Sequence, residues 1–424
     1  MDIEIICTGD EVLTGATINT NFSHISQRLG EAGFTVKWGT TVGDDRETLL
    51  DAFQRAAGRA DAVIVNGGLG PTVDDLSQEV AARAGGVPLA FDEVWFSRME
   101  DYFTRRARAM PPNNRKQAML PEGSERLDNP IGTACGFALD IGGARFFFTP
   151  GVPRELHRML DEQILPRLLA RAGRPGVSVL KRFHSFGLGE SRVDGMLAGI
   201  EAMVPDGALK LGFRAHYPQL ETKLLVRAAS TEEARHTLAP VEAEVRLRLG
   251  NFILAEDDAR LEGVVLDSLT RAGDSLALVE SFTGGGIAAR LAPLPGGGAR
   301  LRRAIIAPDR SALCAALALK DAGPADGGFD DALATVAARA AREQAGTTLG
   351  VAVLIDLDEG PDRVEFGGTI RIAIAGGSRS AARRARLLGG REWIRLGSIE
   401  LGLDCLRRFL AGLPVDERID FEKT

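Results

Sequence analysis

The chain has 424 residues, of which 45% are hydrophobic, 26% charged and 6% aromatic, and its formal net charge is −7. That length exceeds one ordinary core and predicts about two to four domains. The acid excess argues against a general electrostatic nucleic-acid binder. The scattered Cys7, Cys135, Cys314 and Cys405 argue against a disulfide framework or a zinc site. No apolar run of about 18 residues predicts a membrane span. The opening residues lack the basic-then-apolar pattern of a signal peptide, so the cytoplasm is the expected location.

Ile3 to Cys7 reads as a buried strand, and Asn19 or Asn21 as the cap of a helix running to about Gly33. A strand at Val36–Thr41, a helix at Arg46–Ala57 and an apolar strand at Asp61–Val65 follow. A glycine loop comes next, then a helix from about Val73 to Ala84. Strands alternating with helices predict a mostly parallel sheet covered on both faces. Helical stretches are expected near 92–108 and 113–119, paired strands at Gly136–Leu139 and Ala144–Phe148, and a helix opened by Pro153 and running to about Ala170. Phe146, Phe147 and Phe148 read as strand core.

Arg171–Gly176 reads as a linker. Strands dominate to about Leu249, at 179–186, 209–213 and 222–228, with helices near 190–200 and 231–248, which predicts a small α+β domain. A third, α/β unit starts near Leu261, with a helix, a strand at Leu276–Val279, a helix at Gly286–Leu291, strands at Gly350–Ile355 and Gly368–Ala375, and a final helix from about Trp393 to Leu410. The expected division is therefore 1–170, 171–255 and 256–415, with 416–424 as a loose tail. The cluster Arg379, Arg383, Arg384 and Arg386 reads as a solvated helix face. The five histidines show no paired metal-ligand spacing, and Trp38, Trp95 and Trp393 read as packing residues.

The loop Asn66–Asp75 carries the strongest chemical signal. In a parallel sheet it lies beyond the carboxyl ends of the strands, where ligands bind. Gly67, Gly68 and Gly70 allow backbone N–H groups to approach phosphate, and the following helix adds partial positive charge. Asp74 and Asp75, placed in the first helical turn, have two readings. They complement the helix dipole, or one of them holds a hard divalent metal. Gly9-Asp10-Glu11-Val12-Leu13-Thr14-Gly15 pairs acids with glycines at the same sheet edge. Pro111-Pro112-Asn113-Asn114-Arg115-Lys116-Gln117 adds cations suited to phosphate.

These segments, with Thr41–Asp44, Asn129–Ala134 and Pro150–Glu155, resemble the CinA family in that order, over residues 1–170. The same region is similar to molybdopterin-binding domains of cofactor biosynthesis. Phe186–Ser191 matches the family's middle-domain motif. The resemblance implies a homodimeric, metal-dependent pyrophosphatase acting on ADP-ribose or a related nucleotide. The roles it suggests are Asp74, Asp75 and Lys116 as catalytic residues, and Gly67, Gly68, Gly70, Thr72, Asn19, Asn21, Asn114, Arg115 and Gly151 as substrate contacts. Asp10, Glu11 and Asp75 would hold magnesium or a transition metal, with a monovalent cation left open. No membrane or nucleic-acid partner is expected.

Val279-Glu280-Ser281-Phe282-Thr283-Gly284-Gly285 looks like the family's Glu-Ser-Cys-Thr-Gly-Gly motif, which opens a nicotinamide-mononucleotide deamidase domain with serine as candidate nucleophile. A serine nucleophile needs an adjacent base. Aligned without gaps, the family's Tyr position falls on Pro308 and its Lys position on Leu313. From residue 251 onward there is no His or Tyr, and the lysines are Lys320 and Lys423. Glu280, Ser281, Thr283, Gly284 and Arg391 therefore read as a vestigial site, with Ser281 and Thr283 serving as helix cap and turn. Residual nucleotide binding, or rescue by Lys320, is the other reading. Two alternatives stand beside the pyrophosphatase: a nucleotide- or molybdopterin-binding protein without turnover, and a nicotinamide-mononucleotide deamidase.

Overall fold

The computed structural model describes residues 1–173, 177–320, 328–358 and 366–423. Residues 174–176 of the expected linker lie outside them, as do residues 321–327, 359–365 and 424. The chain forms two compact units, Met1–Val179 with Arg227–Ala234, and Leu180–Val226 with Arg235–Thr424.

The first unit is built on a six-stranded sheet in the order Thr35–Val42, Asp2–Thr8, Ala62–Asn66, Ala144–Thr149, Gly136–Ile141, Glu125–Leu127. The first four strands are parallel and the last two antiparallel. The alternation of side chains along a strand sends successive residues to opposite faces. Val63, Val65, Phe146 and Phe148 meet Phe53 and Val80 on one face, while Ile5, Ile64 and Phe147 meet Ile25, Leu29 and Met159 on the other. All three consecutive phenylalanines are core, as the sequence predicts. This is the doubly covered α/β architecture expected from the pattern.

The second unit carries a four-stranded sheet in the order Leu209–His216, Gln219–Ala228, Val177–Phe186, Ile253–Glu256. It also carries a five-stranded sheet in the order Leu301–Ile306, Leu276–Glu280, Leu349–Leu357, Gly367–Ala375, Ser380–Leu388. The first three strands of the latter are parallel and the last two antiparallel. The alanine-rich helix Asp331–Ala345 packs its Ala337, Ala338 and Ala341 against Ala277, Ala352 and Ala373.

Three expectations need correction. The helix after the glycine loop starts at Ser77 rather than near Val73, because Ser77 N–H donates to Gly68 O and the intervening residues form a turn. Of the arginine cluster, Arg383, Arg384 and Arg386 belong to a strand at the sheet edge and Arg379 just precedes it: Ser380–Leu388 pairs antiparallel with Gly367–Ala375. Charged side chains suit an edge that must not recruit further strands. Arg383 is buried there, bonded to Val415 O and Glu422, while Arg386 pairs with Asp358 at 2.8 Å. The final residues are not loose either. Ile419 is buried against Gly187, Asp420 binds Gly189 N–H and Arg192, and Glu417 binds Arg408 and Asn251.

Candidate functional site

The carboxyl ends of the four parallel strands converge on one cleft of about 490 Å³ in the N-terminal domain. Strand Asp2–Thr8 delivers Thr8 and Glu11, strand Thr35–Val42 delivers Asp44, strand Ala62–Asn66 delivers the glycine loop, and strand Ala144–Thr149 delivers Gly151 and Glu155.

Buried amides fix this edge. Asn21 donates to Asn66 Oδ1 at 2.9 Å and to Gly151 O at 2.7 Å, and Asn66 donates to Thr149 Oγ1 and Pro150 O. The glycine loop uses its conformational freedom. Gly67 and Gly68 have φ of 114° and 68°, and a Cβ on Gly67 would lie 2.5 Å from Thr8 Oγ1. Asp75 Oδ2 accepts from Thr72 N–H at 2.8 Å and Thr72 Oγ1 at 2.6 Å, and Lys116 Nζ donates to Thr72 O at 2.6 Å. Gly67 N–H is committed to Thr149 O, so it is not available to phosphate. Among the described residues, the N–H groups of Gly68, Leu69 and Gly70 have no acceptor.

The cleft is also lined by carboxylates, Glu11, Asp44, Asp74, Asp75 and Glu155. Asp10 Oδ1 accepts from Asp44 N–H at 3.1 Å, and Asp44 Oδ2 accepts from Asp10 N–H at 3.2 Å. Burial, followed by the charges of Asp10, Glu11 and Asp74, pushes the Asp44 carboxyl above the usual carboxylate range, although the Asp10 amide pulls the other way. A cation would relieve this repulsion. Among the described residues no three acidic, His or Cys side chains are gathered at metal-binding spacing. Glu11, Asp44 and Asp74 line the cleft without forming a ready three-ligand site, so an ion held there would keep most of its water, as magnesium does. Thr8 Oγ1 and Asn21 Oδ1 are buried without a hydrogen-bond partner, and Thr8 faces the cleft.

Of the sequence-derived residues, Glu11, Gly67, Gly68, Gly70, Thr72, Asp74, Asp75 and Gly151 line the cleft. Asp10, Asn21 and Lys116 stand one hydrogen bond behind it, as does Asn114, which donates to Gln117. Asn19 caps the helix Thr20–Glu31 by accepting from Phe22 N–H. Arg115 is not in the cleft; its guanidinium lies over the Phe91 ring, 3.9 Å from the centroid. Asp44, Gln117 and Glu155 also line the cleft; the sequence places them in the quoted motif segments but gives them no individual role. Asp44 and Glu155 each follow the carboxyl end of a parallel strand, the position where ligands bind in such sheets.

In the C-terminal domain the corresponding turn is filled. Glu280 is fully buried. Its carboxylate accepts from Thr283 Oγ1 at 2.6 Å and from Ile287 and Ala288 N–H, each at 3.0 Å. It therefore caps the helix Gly286–Leu291. Ser281 is also fully buried, and its Oγ accepts from Ile355 N–H at 2.7 Å. The cap is thus Glu280 rather than Ser281. Arg391 Cζ lies 5.4 Å from the ring centroid of Phe282, whose φ of 61° is left-handed. Leu313 is buried in the helix Arg310–Ala316, and Lys320 is exposed beyond it.

Comparison with known proteins decides the family. A model described as a probable molybdopterin binding domain matches residues 4–170, one for the damage-inducible protein CinA KH domain matches 180–255, and one for the CinA C-terminal domain matches 258–410. A CinA-like protein of Frankia casuarinae is 36% identical over 425 residues, covering 98% of each chain. A CinA-like protein of Geobacter sulfurreducens is 37% identical over 413 residues, covering 97% of this chain and 99% of its own. The chain belongs to the CinA family. A solved CinA structure from Thermoplasma acidophilum, described as of unknown function, is 32% identical with a TM-score of 0.36, covering 40% of this chain and 96% of that one. The cleft thus lies in the molybdopterin-binding-like domain of a CinA protein, and the filled turn in its CinA C-terminal domain. Among the described residues no helix is long and apolar enough to cross a membrane.

Proposed function

We propose that the N-terminal domain hydrolyses the pyrophosphate of a nucleotide such as ADP-ribose, with a hydrated divalent metal drawn to the carboxylates of Glu11, Asp44 and Asp74. The observation that carries the reading is one cleft that is lined both by a glycine loop with unspent backbone N–H groups and by crowded carboxylates. Phosphoryl transfer is mostly positioning and charge stabilisation, and such a cleft supplies both. The Gly68, Leu69 and Gly70 amides hold phosphate oxygens. Thr72 and Lys116, tied to Asp75 and to each other, keep that loop in shape. A bound metal would neutralise charge on the phosphoryl oxygens. Asp10, Asp44 and Asp75 each spend one carboxylate oxygen on a backbone N–H, so each braces its loop and has one oxygen left for a cation.

The homodimer and the cytoplasmic setting belong to the same reading. Deamidation by the C-terminal domain is disfavoured by the buried Ser281 hydroxyl, which is already an acceptor for Ile355 N–H. The experiment is a nucleotide panel with divalent metals added and removed. Metal-dependent release of AMP from ADP-ribose supports the proposal. Binding of ADP-ribose without turnover under every metal condition would replace it with the non-catalytic nucleotide-binding alternative.

A further inference from the structure

Glu155 faces the cleft from the first turn of the helix Pro153–Met159, yet no part of the phosphate or metal reading uses it. Its surroundings are specific. Asn129 Nδ2 donates to Glu155 Oε2 at 2.7 Å and also to Ala134 O at 3.0 Å. Asn129 Oδ1 accepts from the N–H groups of Ile131 and Gly132, at 3.2 and 3.0 Å. Asn129 is itself buried, so all its hydrogen-bonding capacity goes into fixing this loop and one carboxylate oxygen. Gly132 sits so close that a Cβ there would overlap the carboxylate. Burial pushes the Glu155 carboxyl above the usual carboxylate range, against the smaller pull of the Asn129 bond. A base whose pKa moves toward the working pH is a better proton acceptor. The carboxylates sharing the cleft are Glu11, Asp44, Asp74 and Asp75.

We propose that Glu155 is the general base of the cleft, taking a proton from the water that attacks the pyrophosphate, with Asn129 as its positioning residue. This rests on the pyrophosphatase reading above. The water oxygen forms a bond to one phosphorus while its proton passes to Glu155. The bond from that phosphorus to the bridging oxygen breaks, and its electron pair leaves on the second phosphate. With ADP-ribose the products are AMP and ribose 5-phosphate, and Glu155 then releases its proton to solvent.

The test is the pH–rate profile of AMP release by the full chain with saturating divalent metal, for wild type, Glu155→Gln and Asn129→Asp. Glu155→Gln keeps the acceptor for Asn129 but cannot take a proton. Its kcat should fall by about 10²–10⁴-fold with KM little changed, and the acid limb of the profile should vanish. Asn129→Asp keeps the loop acceptor but sets a second carboxylate beside Glu155, so the acid limb should move to higher pH. If wild type is active and Glu155→Gln stays within about threefold of it, with the acid limb intact, the role of Glu155 is overturned and the pyrophosphatase stands. If Glu155→Gln does not fold, an unmoved acid limb in Asn129→Asp overturns the role. If wild type releases no AMP with any metal, the pyrophosphatase reading itself fails.

Discussion

In the N-terminal domain the strand Ala62–Asn66 runs into a cleft-lining glycine loop in which the Gly68, Leu69 and Gly70 N–H groups have no acceptor among the described residues, whereas in the C-terminal domain the strand Leu276–Glu280 runs into a glycine turn whose helix is already capped by Glu280. Both turns follow a central parallel strand and precede a helix, the arrangement that commonly receives anions. The difference is occupancy by the chain itself. Asp75 braces its loop through Thr72 and takes none of the Gly68, Leu69 and Gly70 amides. Glu280 puts its carboxylate onto the helix N–H groups where an anion would go, and Ser281 turns its hydroxyl into the sheet. A strand–glycine–helix motif is therefore left open to a ligand in the proposed reading of one domain and closed by a structural cap in the other.

Removing the internal carboxylate is the strongest way to break that contrast. Glu280→Ala leaves two backbone N–H groups and a buried hydroxyl unsatisfied, at about 1–3 kcal/mol each. The expected outcome is a loss of about 3 kcal/mol or more, seen in calorimetry of the full chain as an earlier melting transition. An unchanged profile would mean that Glu280 is not the cap described here.

Gly68→Ala attacks the other turn. A Cβ there collides with Ser77 Oγ at a φ of 68°, and a left-handed alanine costs about 1–2 kcal/mol. Displacing the phosphate-facing amides should reduce turnover on the order of 100-fold. Full activity in a folded Gly68→Ala protein would remove the loop from the mechanism. Asp75→Ala should act less severely, losing about 1–2 kcal/mol with the bonds to Thr72, and should raise KM for nucleotide.

The crowded carboxylates have a pH signature. The folded Asp44 carboxyl titrates above its unfolded value, so its contribution to stability is complete below the unfolded value and is lost as pH rises through the folded one. In metal-free buffer at neutral pH, Asp44→Asn should therefore melt at a higher temperature than wild type. Added magnesium or manganese should narrow that gap by stabilising wild type alone. A lower melting temperature in Asp44→Asn without metal would show that the crowding is not unfavourable. The smallest effect is expected from Ser281→Ala, about 1 kcal/mol of stability and no change in nucleotide hydrolysis.

Much of the first unit was legible because its signals are local. The apolar strands, the helix Arg46–Ala57, the hairpin around Ile141–Gly143 and the glycine loop each declare themselves within a dozen residues. The second unit hid more. The strand Leu301–Ile306 carries two adjacent arginines and no apolar alternation at a sheet edge, and Ser380–Leu388 carries enough arginine to resemble a solvated helix. Arg383 is stabilised by Glu422, 39 residues away, a pairing no window can reveal. The same limit applies to the cleft. Glu11 and the glycine loop were readable as motifs, but Asp44 and Glu155 gain their meaning only when parallel pairing brings four strand ends together. Arg115 failed for the converse reason: the aromatic rings that hold it, Phe91 and Phe96, are nearly twenty residues upstream or more.

The most direct measurement is AMP release from ADP-ribose by wild type, Gly68→Ala and Ser281→Ala, each with and without divalent metal. The account predicts metal-dependent release by wild type and Ser281→Ala alike, and loss of it in Gly68→Ala. It would be contradicted by wild type that releases no AMP with any metal, or by release that depends on Ser281 and survives Gly68→Ala.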